Sequence, residues 1–154
     1  MDLAGPNAVD WLHGLAQFGI KLGLTSIRSI LDELGHPERH FTSVHVAGTN
    51  GKGSVTAMVE AALRASGRRT GRYTSPHLLD LTERFVVNGS PITSPEMHAA
   101  VHAVRSAVER LQARGALAVH PTFFEATTAA AFEAFRDRGV EIAVCEVGLG
   151  GRLD

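Results

Sequence analysis

The most constraining feature is a run of glycines set between a β-branched segment and a helical pattern. Phe41 to Ala47 reads FTSVHVA, the β-branched, apolar composition of a buried strand. Gly48-Thr49-Asn50-Gly51-Lys52-Gly53-Ser54 follows directly. From Ser54 to Ser66, Val55, Met58, Val59, Ala62 and Leu63 recur at three- and four-residue steps, which predicts a helix with an apolar stripe. Gly67 is a natural C-cap. The order is strand, glycine-rich loop, helix.

That order suits a triphosphate. Glycines let backbone N–H groups turn inward and approach phosphate oxygens. The helix N-terminus adds the positive end of a dipole. Lys52 can reach the β and γ phosphates, and Ser54 is placed to offer a hydroxyl to Mg²⁺. The loop departs from the strict G-x-x-x-x-G-K-[ST] pattern. Val46 stands where the first glycine belongs, and Gly53 where Ser or Thr follows the lysine. From the pattern alone, an ordinary glycine-rich turn competes with a phosphate cradle. Lysine is scarce, however: Lys21 and Lys52 are the only two among 15 basic residues.

The rest of the chain alternates in the same way. Residues 8–18 and 25–34 read as short helices. Arg69 to Thr74 is a short second strand, and Ser75-Pro76 opens a loop. Arg84 to Val87 reads as a strand ending at the Asn88-Gly89 turn. Thr93 or Ser94, with Pro95 and Glu96, starts a helix whose stripe is Met97, Val101, Val104, Val108 and Leu111. Thr122 caps another helix, with Glu125 in the capping-box position. Val140 to Val147 is a further buried strand that runs into Gly148-Leu149-Gly150-Gly151. Strands alternating with helices predict an α/β fold with a mostly parallel sheet and flanking helices. Ligands on such sheets bind at the carboxyl ends of the strands.

Composition excludes several classes. The 154-residue chain is 44% hydrophobic and 20% charged with a net charge of −1, which argues for a globular fold and against disorder. Near-zero charge gives no reason to expect a nucleic-acid partner or a membrane surface. No apolar run approaches the roughly 18 residues of a membrane span, and no secretory signal is visible at the start. The single Cys145 cannot form an internal disulfide, which fits a reducing, cytoplasmic compartment. His98 and His102 have i, i+4 metal-ligand spacing but lie off the apolar stripe with no glutamate between them, and read as a solvated face. Cys145 reads as a small core residue.

Four segments in order carry a specific resemblance. Val44 to Val55 (VHVAGTNGKGSV) resembles the nucleotide loop of the Mur-ligase superfamily in its folylpolyglutamate synthase/dihydrofolate synthase branch. Tyr73 to Arg84 (YTSPHLLDLTER) resembles that branch's Ser-Pro-His loop. Thr122 to Thr128 (TFFEATT) resembles its helix start, and Cys145 to Asp154 (CEVGLGGRLD) its acidic strand end and glycine turn. The fold implied is a P-loop NTPase-like ligase central domain, with residues 1–154 as the N-terminal part of the ATP-binding domain.

The reaction implied is ATP-dependent. A carboxylate of dihydropteroate or a folate is phosphorylated, and the amine of L-glutamate attacks the acyl phosphate to form an amide. The resemblance places Gly48, Thr49, Asn50, Gly51, Lys52, Gly53 and Ser54 around the ATP phosphates, with Lys52 catalytic. It places Ser54, Ser75 and Glu146 around Mg²⁺, whose hard character prefers oxygen ligands. For Glu146 the competing reading is a core-edge carboxylate paired with Arg152. Ser75, His77, Thr122, Phe124 and Asp154 match substrate positions. Phe124 can stack on a flat heterocycle or be one more core aromatic, and Thr122 can simply cap its helix. His77 can meet a substrate carboxylate or cap a turn. Asp154 can accept hydrogen bonds from a pterin N–H pair. A monomer is implied. Another Mur-type amide ligase, or a fragment that binds nucleotide without turnover, remains open. The chain ends within the last of these motifs, so the expectation is a truncated domain, unstable or inactive by itself.

Overall fold

The computed structural model describes residues 7–19, 21, 23–148 and 150–151. Two short helices, α1 (Ala8–Gly14) and α2 (Thr25–Glu33), precede the first strand, β1 (Thr42–Val46). Helix α3 (Lys52–Ala65) and strand β2 (Thr70–Tyr73) follow. Next come the hairpin β3 (Phe85–Val87) and β4 (Ser90–Pro91), helices α4 (Ser94–Ala113) and α5 (Phe123–Asp137), and strand β5 (Ile142–Glu146).

The five strands form one sheet in the order β1-β5-β2-β3-β4. β1, β5 and β2 are parallel, as the alternation predicts. The hairpin adds an antiparallel end, so the sheet is mixed. Asn88 and Gly89 both take positive φ at its turn, the backbone that a two-residue hairpin requires.

The sheet carries helices on both faces. Adjacent strand residues point to opposite sides. The Thr70 hydroxyl reaches Glu60 of α3, whereas a Cβ on Gly71 would meet the Phe135 ring of α5 at 3.1 Å. Gly71 is therefore glycine because α5 packs directly on the strand. On the α5 face, α4 and α5 enclose the main core. Met97, Val101, Val104, Val108 and Leu111 are all buried, as the stripe predicts. Ala126, Ala129, Ala130 and Ala134 let α5 approach closely. Phe135 meets Phe41 edge-on at 5.9 Å. Both long helices open with a reciprocal capping box, Thr93–Glu96 and Thr122–Glu125.

Two expectations are corrected on the α3 side. β1 is an edge strand, not a buried one: Thr42, Ser43 and His45 are exposed, and Val44 and Val46 only half-buried. Helix α3 leaves part of its apolar stripe outward, with Val55 42% and Met58 63% exposed, while Val59 and Leu63 are half-buried. Its buried residues are Thr56 and Glu60. The inward face tolerates these because both are satisfied. Thr56 Oγ1 donates to the Lys52 carbonyl at 2.8 Å. Glu60 Oε1 accepts from Thr70 Oγ1 at 2.6 Å and from Arg64 Nε at 3.2 Å.

Candidate active site

Parallel strands bring their carboxyl ends to one edge of the sheet. Val46 pairs in register with Glu146, and Tyr73 with Cys145. The loops after β1, β5 and β2 therefore emerge together. The Val147 N–H donates to the Val46 carbonyl at 3.0 Å, which extends the register past the strand end. A Cβ on Gly151 would lie 3.9 Å from that of Ala47, so the glycine turn after β5 runs beside the first loop.

The glycine loop is wound for this position. Gly51 caps α3 with φ 76°, and Gly48 has φ 152°, both in territory that side chains avoid. Lys52 is the first helical residue, and its Nζ donates to the Gly48 carbonyl at 3.0 Å. The ammonium is thus folded over its own loop, where a phosphate oxygen can replace the carbonyl. The first N–H groups of α3 have no acceptor within the helix. Thr49, Asn50, Gly53 and Ser54 are exposed around them.

Glu146 lies next to the loop. Its Oε2 accepts the Ser75 N–H at 3.2 Å, so the acidic strand end and the serine are brought together. Arg152, the alternative partner of Glu146, and Asp154, a candidate substrate contact, both lie outside the described residues. The oxygen donors of Ser54, Ser75 and Glu146 match what a hard divalent cation takes.

A cavity of about 500 Å³ opens behind this edge on the α5 side. Ser75, Thr122, Phe124 and Glu146 all line it. Phe124 tilts against the buried Tyr73 ring at 6.2 Å. Tyr73 hydroxyl lies 3.0 Å from Thr127 Oγ1 and accepts from Thr128 Oγ1 at 3.2 Å, and burial raises its pKa. Thr122 performs its cap, with Oγ1 accepting the Glu125 N–H at 3.1 Å. Glu125 Oε2 accepts the Thr122 N–H at 2.8 Å, while the buried Oε1 has no partner among the described residues. Cys145 also lines the cavity, and burial pushes its thiol up to about 12.

His77 does not join this wall. Its Nδ1 accepts from Arg84 Nε at 2.8 Å, and Arg84 lies over the Phe123 ring at 5.2 Å. The loop beside it is pinned by Glu83, whose carboxylate accepts the N–H groups of Leu78, Leu79 and Asp80 at 2.8 to 2.9 Å. Those bonds lower the Glu83 pKa.

The sequence reading missed one whole wall. Leu24, Ile27 and Leu31 of the α2 region form it, with Lys21 and Arg28 at the side. Their helical spacing was visible, but an aliphatic face reads the same over a cavity as over a core. His45 and Tyr73 also line the cavity, and both belong to segments whose resemblance was legible.

A mixed α/β sheet whose parallel strands bring a glycine loop and an acidic strand end to one edge has the build of a P-loop-type domain. Comparison with known proteins sharpens this. The dihydrofolate synthase/folylpolyglutamate synthase of Bacillus subtilis is 41% identical over the whole of this chain, which spans 36% of that protein. The crystal structure of Mycobacterium tuberculosis folylpolyglutamate synthase complexed with ADP and AMPPCP superposes with a TM-score of 0.85 at 41% identity. It covers 96% of this chain and is itself covered to 33%. E. coli FolC in complex with DHPP and ADP superposes with a TM-score of 0.84 at 34% identity, covering all of this chain and 36% of its own. No family model matches the chain. Over nearly all of its residues the chain is similar to the folylpolyglutamate/dihydrofolate synthases, and it spans about a third of the length of the relatives it matches.

Proposed function

We propose that this chain forms the nucleotide-holding third of an ATP-dependent ligase that joins L-glutamate to the carboxylate of dihydropteroate or a folate. The observation that carries the reading is the register of Val46 with Glu146, which sets the glycine loop beside an acidic strand end above a cavity. Support also comes from the nucleotide complexes of the M. tuberculosis structure and the DHPP complex of E. coli FolC.

In this reading Lys52 leaves the Gly48 carbonyl for the β and γ phosphates, and the amides of residues 48–54 cradle the rest. Ser54, Ser75 and Glu146 would hold Mg²⁺, which when bound neutralises charge on the phosphates. The cavity takes the flat, heterocyclic end of the substrate. Phe124 stacks on it, Thr122 donates to it, and the walls exclude water, which would hydrolyse an acyl phosphate. Asp154 is proposed as a further acceptor for that end. His77 meets the substrate only if the Arg84 contact opens. The chain is read as cytoplasmic, a reading supported by its single, unpaired cysteine.

A second reading, nucleotide binding without turnover, is favoured by the one-third coverage of the relatives. Phosphate release from MgATP separates the two. Release that requires both dihydropteroate (or tetrahydrofolate) and L-glutamate supports the ligase. Binding of MgATP with no release under any substrate combination supports the second reading.

A further inference from the structure

A second cleft, of about 340 Å³, lies at the other end of the sheet, where the parallel strands begin. The turn after α3, the residues just before β2 and β5, and the Asn88-Gly89 turn of the hairpin meet there. Glu141 at this end and Glu146 at the nucleotide edge are five steps apart along β5, roughly 17 Å at the rise of a strand. Arg64, Arg68 and Arg69 make up half of the cleft's lining. In a chain of net charge −1, three adjacent arginines form a local positive surface.

Two of the guanidiniums lie against glycine backbone. A Cβ on Gly89 would stand 2.8 Å from Arg64 Cζ, and one on Gly139 would stand 2.9 Å from Arg69 Nη1. Both glycines have positive φ, so the turns that need glycine also leave room for the two cations. Few of the guanidinium donors are taken. Arg64 uses Nε on Glu60 and Arg68 uses Nη1 on Glu141, each at 3.2 Å. Arg69 makes no side-chain hydrogen bond among the described residues. The carboxylate on the lining, Glu141, has both oxygens engaged, Oε1 by Arg68 and Oε2 by the Arg69 N–H at 2.8 Å. Asn88 Oδ1 accepts the Thr70 N–H at 2.9 Å, which leaves the Asn88 amide N–H groups as further donors.

We propose that this cleft is an anion site for a diphosphate group, separate from the glycine loop. A guanidinium presents paired N–H donors that match two oxygens of one phosphoryl group. Three of them around one cleft can receive two joined phosphoryl groups. A diphosphate bound there would tie together the C-terminal end of α3, the hairpin turn and the start of β5. Lys52 and Glu146 stand at the opposite ends of the same helix and strand. The proposal does not rest on the ligase reading, because none of these residues belongs to the site at the other edge.

The test titrates inorganic pyrophosphate, and separately ADP, without divalent metal into the 154-residue chain. Nuclear magnetic resonance follows the Nε–H groups of Arg64, Arg68 and Arg69 and the amides of Gly67 and Gly89. The proposal expects saturable shifts at these signals in the native chain, and the same affinity within about twofold in Lys52→Ala, which disables the glycine loop. Arg68→Gln and Arg69→Gln, both at the surface, should each weaken binding by about threefold or more. Arg39→Gln, an exposed arginine elsewhere, should leave it within about twofold. Amide spectra that match the native chain away from the cleft show that the variants fold. A response to both probes assigns the diphosphate of a nucleotide as well as the free ion, and a response to pyrophosphate alone assigns the free ion. No saturable shift, a response lost with Lys52, arginine variants that bind as the native chain does, or equal displacement by chloride would each overturn it.

Discussion

Val46 and Glu146 are register partners across the parallel β1–β5 pair. That pairing joins two sequence segments a hundred residues apart into one edge. It places the last residue of β1, two before Gly48, level with an acidic side chain, and the Ser75 N–H bonded to that side chain adds the third loop. Everything proposed about nucleotide and cation follows from this alignment.

Glu60 is the buried acid on which α3 depends. Its carboxylate accepts from Thr70 and Arg64 and is almost wholly enclosed. Glu60→Ala should cost about 1–3 kcal/mol, because the Thr70 hydroxyl is left buried without a partner. Urea denaturation should show the loss, and Glu60→Gln should recover part of it.

Phe124 offers a functional counterpart. It is half-buried at the cavity wall, unlike the fully enclosed Phe135. Phe124→Ala should weaken binding of a dihydropteroate-like heterocycle by about two- to tenfold, the worth of one aromatic stack. MgATP affinity should not change. Calorimetric titration with each ligand separates the two effects, and an equal loss for both would point to a purely structural role.

Acid should loosen the start of α4. The Thr93 N–H and hydroxyl, with Arg138 nearby, hold the Glu96 carboxyl down to about 2 from its ordinary 4.5. A group whose pKa falls on folding stabilises the fold above its unfolded value, and the contribution is lost as pH falls toward the folded one. Wild-type stability should therefore decline between about pH 4.5 and 2, and Glu96→Gln should flatten that part of the profile. Because the Glu96 carboxylate is only half-buried, salt should shrink the difference.

What the sequence reveals depends on how local the signal is. The Thr122–Glu125 capping box, the helix start at Thr93 or Ser94, the α4 stripe and the glycine loop are set by neighbours within a turn, and all are legible. The orientation of α3 is not. Periodicity finds Val55, Met58 and Val59 as a stripe, but whether a stripe faces the sheet or a further layer is tertiary information. The edge position of β1 is likewise a matter of strand order, which FTSVHVA does not encode. At the site, Ser75, Thr122, Phe124 and Glu146 line one cavity. His77 is drawn aside by Arg84, seven residues on in sequence, through a contact that no spacing rule contains. The Leu24–Leu31 wall carried only an aliphatic period.

The central claim is that residues 48–54 hold the phosphates of ATP with Lys52 as their cation. Calorimetric titration of MgATP into the 154-residue chain and into its Lys52→Ala variant tests it most directly. The account predicts saturable binding to the native chain, at least about tenfold weaker in the variant, as expected when a charge-assisted contact of about 1.5–3 kcal/mol is removed. Equal affinity in the two proteins, or no binding to the native chain, would contradict it.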